Sequence, residues 1–153
     1  MVKTVADPRV REALVARLRS LGPATPRKWG TLTPHEMLCH LGDAAEMALR
    51  TRPRIKPVEH HRRVVLKWLG LWSPVRWLHG WKTNAEHDPR AQGTRPSVFA
   101  QDRERLIAAI HALGVADQTR LESHHGFFRR MSARDWQRWM YKHADHHLRQ
   151  FRV

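Results

Sequence analysis

Cysteine is nearly missing from this 153-residue chain, with Cys39 standing alone. No internal disulfide can form, which excludes the disulfide-stapled secreted scaffolds and fits a reducing cytoplasm. Long apolar runs are missing too, and nothing approaches the roughly 20 residues that span a bilayer. The opening MVKTVADPRVREALV has no apolar stretch of the secretory kind. Acids are scarce, with 14 Asp+Glu against 28 Lys+Arg and a formal charge of +14 when the histidines are neutral. Such a surplus fits nucleic acid, anionic lipid or an anionic substrate, and equally a scattered arginine-rich surface with no specific partner. Strand-like alternation, internal repeats and low-complexity segments are also lacking. Helical periodicity is left as the main regular signal, and residues 1–153 read as a single all-α domain.

Four long amphipathic helices can be placed. Asp7-Pro8 caps and starts the first; Val10, Leu14, Leu18 and Leu21 recur at helical spacing, and Gly22-Pro23 ends it. Thr33-Pro34-His35-Glu36 opens the second as a capping box, with Met37, His40, Leu41, Ala44 and Ala48 as its apolar stripe; it should stop before Arg52-Pro53. Ser97 is expected to cap the third, with Phe99, Leu106, Ile110 and Leu113 facing inward and Gly114 at its end. Ser132-Ala-Arg-Asp135 opens the last, which runs to about 150. Between the second and third lies a long crossover. It is expected to hold a short helix near 58–70, a break at Ser73-Pro74 and a polar loop over 83–96. Residues 115–131 form a further connection. This pattern predicts a four-helix bundle with a partly irregular crossover.

Histidine is abundant, with 12 residues, three of them in the closing stretch YKHADHHLRQF. His143 and His147 are four apart and share a helix face. About one such pair arises by chance in a chain this rich in histidine, so direction matters more than spacing. Trp136, Met140, His143 and His147 step by 4, 3 and 4, the stripe of an inward-facing helix. His40 occupies the same kind of position on the second helix, while His146 lies off the stripe. Three imidazoles on two apolar stripes need partners. A shared divalent metal supplies them at once, in the arrangement of a catalytic zinc site with an open position; a separate carbonyl or carboxylate for each ring is the alternative.

The stretch WGTLTPHEMLCHLGDA together with a last helix bearing HADHHLRQF resembles the DinB/YfiT-like superfamily of metal-binding four-helix bundles. The likeness is nearest to an uncharacterised bacterial branch with a WG start to the second helix, a GxxT segment and an HPFFG element. Here these read Trp29-Gly30, Gly80-Trp-Lys-Thr83 and His125-Gly-Phe-Phe-Arg129, with Gly126 and Arg129 departing from the pattern in the last. The resemblance implies a ligand set of His40, His143 and His147. It implies a divalent transition metal, zinc or nickel before others. It also implies a small-molecule substrate and chemistry of the kind performed by transferases that use low-molecular-weight thiols, with the metal holding the thiol as thiolate. No residue is assigned a catalytic role.

Around the ligands, Glu36 is expected to be spent on its capping box. Asp43, Asp145 and Gln150 lie within a turn of a ligand and can orient an imidazole, but are read first as surface or capping residues. Cys39 is read as packing, Tyr141 as off the metal stripe, His124 and His125 as loop anchors, and His60 and His61 as solvated. The rival reading is a non-enzymatic basic module. Trp68, Trp72, Trp77 and Trp81 interleave with cations, which suits a membrane surface or single-stranded nucleic acid. Packing over one end of the bundle, or a homodimer contact, is favoured for these tryptophans; a membrane surface is not favoured, and no nucleic-acid motif is present.

Overall fold

Each long helix begins where the chain supplies its own cap. The computed structural model describes residues 2–53, 66–80 and 83–153, and the chain is predominantly helical. Helix α1 spans Pro8–Ser20, with the Asp7 side chain accepting from Arg9 N and Pro8 in the first turn. Helix α2 spans Pro34–Ala48 behind a complete capping box of Thr33 and Glu36. Helix α3 spans Phe99–Val115 and α4 spans Ala133–Gln150, the latter behind a second capping box of Ser132 and Asp135. Each box satisfies two of the backbone donors that a helix start leaves orphaned.

These helices pack α2 against α3 and α4, and α1 against α3 and α4. One core results, built from Leu14, Leu18, Met37, Leu41, Leu106, Ile110, Leu113, Trp136, Met140 and Leu148 among others. Among the described residues no helix is long and apolar enough to cross a membrane.

Ser97 and Gly114 play other parts than expected, while α2 stops before Arg52-Pro53 as expected. Ser97 does not cap α3: Val98 holds that position without a side-chain bond, and Asp102 reaches back to Ser97 N at 3.1 Å instead. Gly114 does not end the helix, which continues to Val115. A Cβ there would lie 2.6 Å from the Val5 carbonyl oxygen, so the glycine serves close packing of the N-terminal segment. At the end of α2, Arg50 takes φ 61° and Thr51 N returns to Glu46 O at 3.0 Å, closing the helix well before Arg52-Pro53.

The connections are more structured than the sequence reading had them. The helix expected near 58–70 falls mostly outside the described residues; its described end carries a π-helical turn, Trp68–Trp72, closed by Ser73 N on Trp68 O. Residues 83–96 are not simply a polar loop, because a 3-10 turn at Ala85–His87 packs on α2 and buries His87. The 115–131 connection contains a 3-10 turn, Gln118–Arg120, and a two-stranded antiparallel ladder. Its strands are β1, His124–His125, and β2, Arg129–Arg130. Arg129, standing where the resembled pattern has glycine, is held at φ 59°. The left-handed backbone there is one that an arginine side chain opposes.

Candidate metal centre

The inward stripes of α2 and α4 meet at three imidazoles. His40 Nε2 lies 3.1 Å from His143 Nε2, and one ring nitrogen from each of His40, His143 and His147 falls within 4.8 Å of the others. The ring centroids form a near-equilateral triangle, at 5.0 Å for His40–His143, 4.8 Å for His40–His147 and 5.0 Å for His143–His147. His40 and His147 are buried, and His143 partly so. Such a cluster can hold a metal ion.

The far nitrogens of two rings decide what the near ones offer. His40 Nδ1 donates to the His87 backbone carbonyl at 2.9 Å, and His147 Nδ1 donates to Gln150 Oε1 at 2.6 Å. A carbonyl only accepts, so in each neutral ring the proton sits on Nδ1 and the Nε2 lone pair is left facing the cluster. Burial pushes all three histidines below their ordinary pKa, and for His143 and His147 the neighbouring imidazoles push further in the same direction. Neutral imidazoles are the donor form that a divalent transition metal requires, and two of the three present a lone pair to the cluster. His143 Nδ1 is buried without a partner among the described residues.

The surroundings explain parts of the sequence. Gln150 was read first as a surface or capping residue, yet it is buried and orients His147. Its neighbour is Gly30, at φ 83°, where an added Cβ would collide with the Gln150 amide. Lys28 N also bonds Gln150 O at 2.6 Å. The Trp29-Gly30 pair thus belongs to the site's outer layer: Trp29 stacks on His79 at 3.8 Å and meets the edge of His146 at 4.9 Å. Asp43, also read as a surface or capping residue, is fully buried and orients no imidazole. It receives Arg52, Arg105, Thr94 N and Thr94 Oγ1, tying α2 to α3 and to the crossover. Asp145 pairs with Arg17 and Arg149. Glu36 completes its capping box and is held well down, to about 2, chiefly by its bond to Arg90.

The crossover is moored over the site by α4. Arg138 Nε donates to Leu71 O at 2.6 Å, Lys142 Nζ to Val75 O at 2.9 Å, and Lys67 and Trp72 both reach Asp135. Burial lowers the Lys142 ammonium to about 8. Trp77 Nε1 bonds Gly70 O at 2.7 Å, and its ring lies 5.7 Å from His143. Of the four interleaved tryptophans, Trp72 and Trp77 pack against the core, Trp68 is exposed, and Trp81 lies outside the described residues, as do His60 and His61.

A cavity of about 480 Å³ opens beside the cluster, lined by His40, His143 and His147 together with Trp77, Phe128 and Trp139. His87 and His125 line it as well. His124 bonds Ser123 Oγ, and His125 Nδ1 accepts from Phe127 N and Phe128 N, so both anchor the loop as expected; the cavity position of His125 was not. His35, Cys39 and Asp102 make a second cluster within ligand reach. There His35 Nε2 donates to Asp102 at 2.7 Å, and burial raises the Cys39 thiol to about 12, which agrees with packing. Searches of known protein families, curated proteins and solved structures give no match to this chain.

Proposed function

We propose that the protein is a divalent-metal-dependent enzyme on a DinB-like four-helix bundle, its ion held by His40, His143 and His147. The observation that carries this is the convergence of three ring nitrogens within 4.8 Å, two of them on rings whose other nitrogen is pinned as a donor. His40 Nε2 and His143 Nε2 approach to 3.1 Å, a contact that one ring proton can bridge and that a cation held between the rings would replace. The donors are all imidazole, which suits zinc or nickel. When bound, the metal would act as a Lewis acid toward a water or thiol in an open coordination position. The chain's own part is to fix the ring tautomers through His87 O and Gln150 and to wall the cavity with Trp77 and Trp139. Transfer involving a low-molecular-weight thiol is the reaction class that the resemblance supports, with the +14 charge favouring approach of an anionic thiol.

The test is metal analysis of purified protein. About one zinc or nickel per chain is expected, and its loss in His143→Ala. Thiol-transfer assays and melts with and without chelator then separate a catalytic ion from a purely structural one. A second reading, an interfacial binding module, is favoured by one observation: Trp68 and Leu78 are 60% and 73% exposed in a basic stretch. Metal-free protein that binds anionic liposomes or oligonucleotides with steep salt dependence would support it instead.

A further inference from the structure

The cavity beside the histidine cluster has a lining that selects among ligands. Its described wall is aromatic and aliphatic, with Leu69, Val75, Trp77, Leu78, Phe128 and Trp139 contributing most of it. No carboxylate is among the described lining residues, and Arg76 is the one fixed cation there. A cationic ligand finds nothing to neutralise it, and a richly hydroxylated one finds few partners. At about 480 Å³ the space suits a small organic molecule.

Outside the cluster the described polar lining is Arg76, Thr83, Asn84, His87, His125 and His146, and His125 is the one whose tautomer is set by backbone bonds. His125 Nδ1 accepts from Phe127 N at 2.9 Å and from Phe128 N at 3.2 Å. A nitrogen that accepts cannot carry the ring's proton, so in the neutral ring the proton is on Nε2. The ring is held by Phe128, Trp136 and Trp139, at centroid distances of 5.0, 5.5 and 5.3 Å. His125 is therefore a donor of fixed tautomer and fixed orientation on the cavity wall. His87 Nε2 and His146 Nδ1, on other rings of the same wall, are buried without a partner among the described residues.

We propose that the cavity takes a small aryl-alkyl carboxylate, its head group toward the histidine cluster and His125 Nε2–H donating to one of its oxygens. This rests on the metal reading for the head group's coordination, and adds to it the ligand class and a binding residue. The apolar body lies among Trp77, Phe128 and Trp139, and Arg76 balances the charge. Neutral His125 serves here because a protonated ring would lose both backbone bonds that shape its loop.

The experiment begins with zinc stoichiometry, which judges the metal reading by itself. Zinc-loaded protein is then titrated with 4-phenylbutyrate, acetate and 4-phenylbutylamine, followed by tryptophan fluorescence and calorimetry. 4-Phenylbutyrate should bind at least about ten-fold tighter than either comparison ligand. Equal affinities overturn the inference while leaving the metal centre standing. If zinc does not bind, the same ranking in zinc-free protein decides the ligand class. His125→Asn keeps an oxygen acceptor near the Nδ1 position and removes the Nε2 donor. It should retain the wild-type melting temperature and zinc content and lose about ten-fold in 4-phenylbutyrate affinity. In parallel, the ¹⁵N-imidazole spectrum of wild-type protein should show the His125 Nε2–H resonance move on adding 4-phenylbutyrate, whether or not the variant folds. An unmoved resonance overturns the role given to His125.

Discussion

Gln150→Leu is the sharpest probe of the proposed metal centre, because it leaves all three candidate ligands in place. Gln150 Oε1 accepts the His147 Nδ1 proton at 2.6 Å inside a buried environment. Leucine keeps comparable bulk beside Gly30 but cannot accept. The His147 N–H is then buried and unpaired, which costs about 1–3 kcal/mol, and the ring gains freedom to rotate away from the cluster. Loss of such an orienting partner weakens metal affinity about 10- to 100-fold, equivalent to about 1.4–2.8 kcal/mol. Competition with a chromophoric chelator at neutral pH measures this directly, with circular dichroism confirming the helices. Gln150→Glu retains an acceptor and should bind zinc at least as tightly as wild type, at some cost to the metal-free fold from a buried charge. An affinity for Gln150→Leu within two-fold of wild type would refute the argument that His147 is positioned through this bond.

Gly30→Ala should act on the same bond from the other side, since its Cβ collides with the Gln150 amide and its φ is 83°; weaker zinc binding together with a lowered melting temperature is expected. Asp43→Ala strips the shared acceptor from Arg52, Arg105 and Thr94 at a fully buried position, so chemical denaturation should show a loss of about 3–5 kcal/mol. Arg129→Gly relieves a left-handed φ of 59° and should raise stability by about 1 kcal/mol, read from thermal melts. Burial first, and His87 second, hold the His125 pKa down at about 3. The folded value lies below the unfolded one, so the unfolded chain binds the extra proton and stability falls as pH drops from about 6.5 toward 3. His125 alone contributes a slope of about 1.4 kcal/mol per pH unit in that window, and His125→Asn, unfolded by urea at pH 7 and 4.5, should lack it.

The helix starts were legible because they are local. Thr33 with Glu36 and Ser132 with Asp135 complete their boxes within four residues, so the sequence contains every participant. Ser97 misled for a related reason: serine before an apolar stripe looks like a cap, but the backbone bond to Asp102 is set by how the crossover enters α3. Gly114 looked like a helix terminator, and the feature that requires glycine is the Val5 carbonyl, 109 positions away. What a residue does at long range is invisible to periodicity. The inward stripes survived because burying a face is a property of the whole helix, and His40, His143 and His147 sit on those faces whatever the connections do.

The same distinction runs through the site. Gln150 was within reach of the sequence: it extends the stripe of Trp136, Met140, His143 and His147 by one more step of three, which puts it on the buried face where an amide needs a partner. His87 was not within reach. It lies in a stretch of Asn, Glu, Asp and Pro that composition marks as a loop, and it acts on His40 through its backbone carbonyl, a group every residue has. Nor could spacing reveal that Lys142 and Arg138 moor the crossover at Leu71, Ser73 and Val75, because both bond to backbone oxygens. The three clustered histidines come from helix faces and are fixed by pattern. The tautomer of His40 comes from a main-chain carbonyl of the crossover and that of His147 from the Gln150 side chain, while the crossover also supplies much of the cavity wall. A substitution there that leaves every histidine untouched can therefore still weaken the metal site. Pro introduced at Asp88 would test that: it removes the amide bonded to Ala85 O in the turn that presents the His87 carbonyl, and zinc affinity should fall while α1 to α4 remain folded.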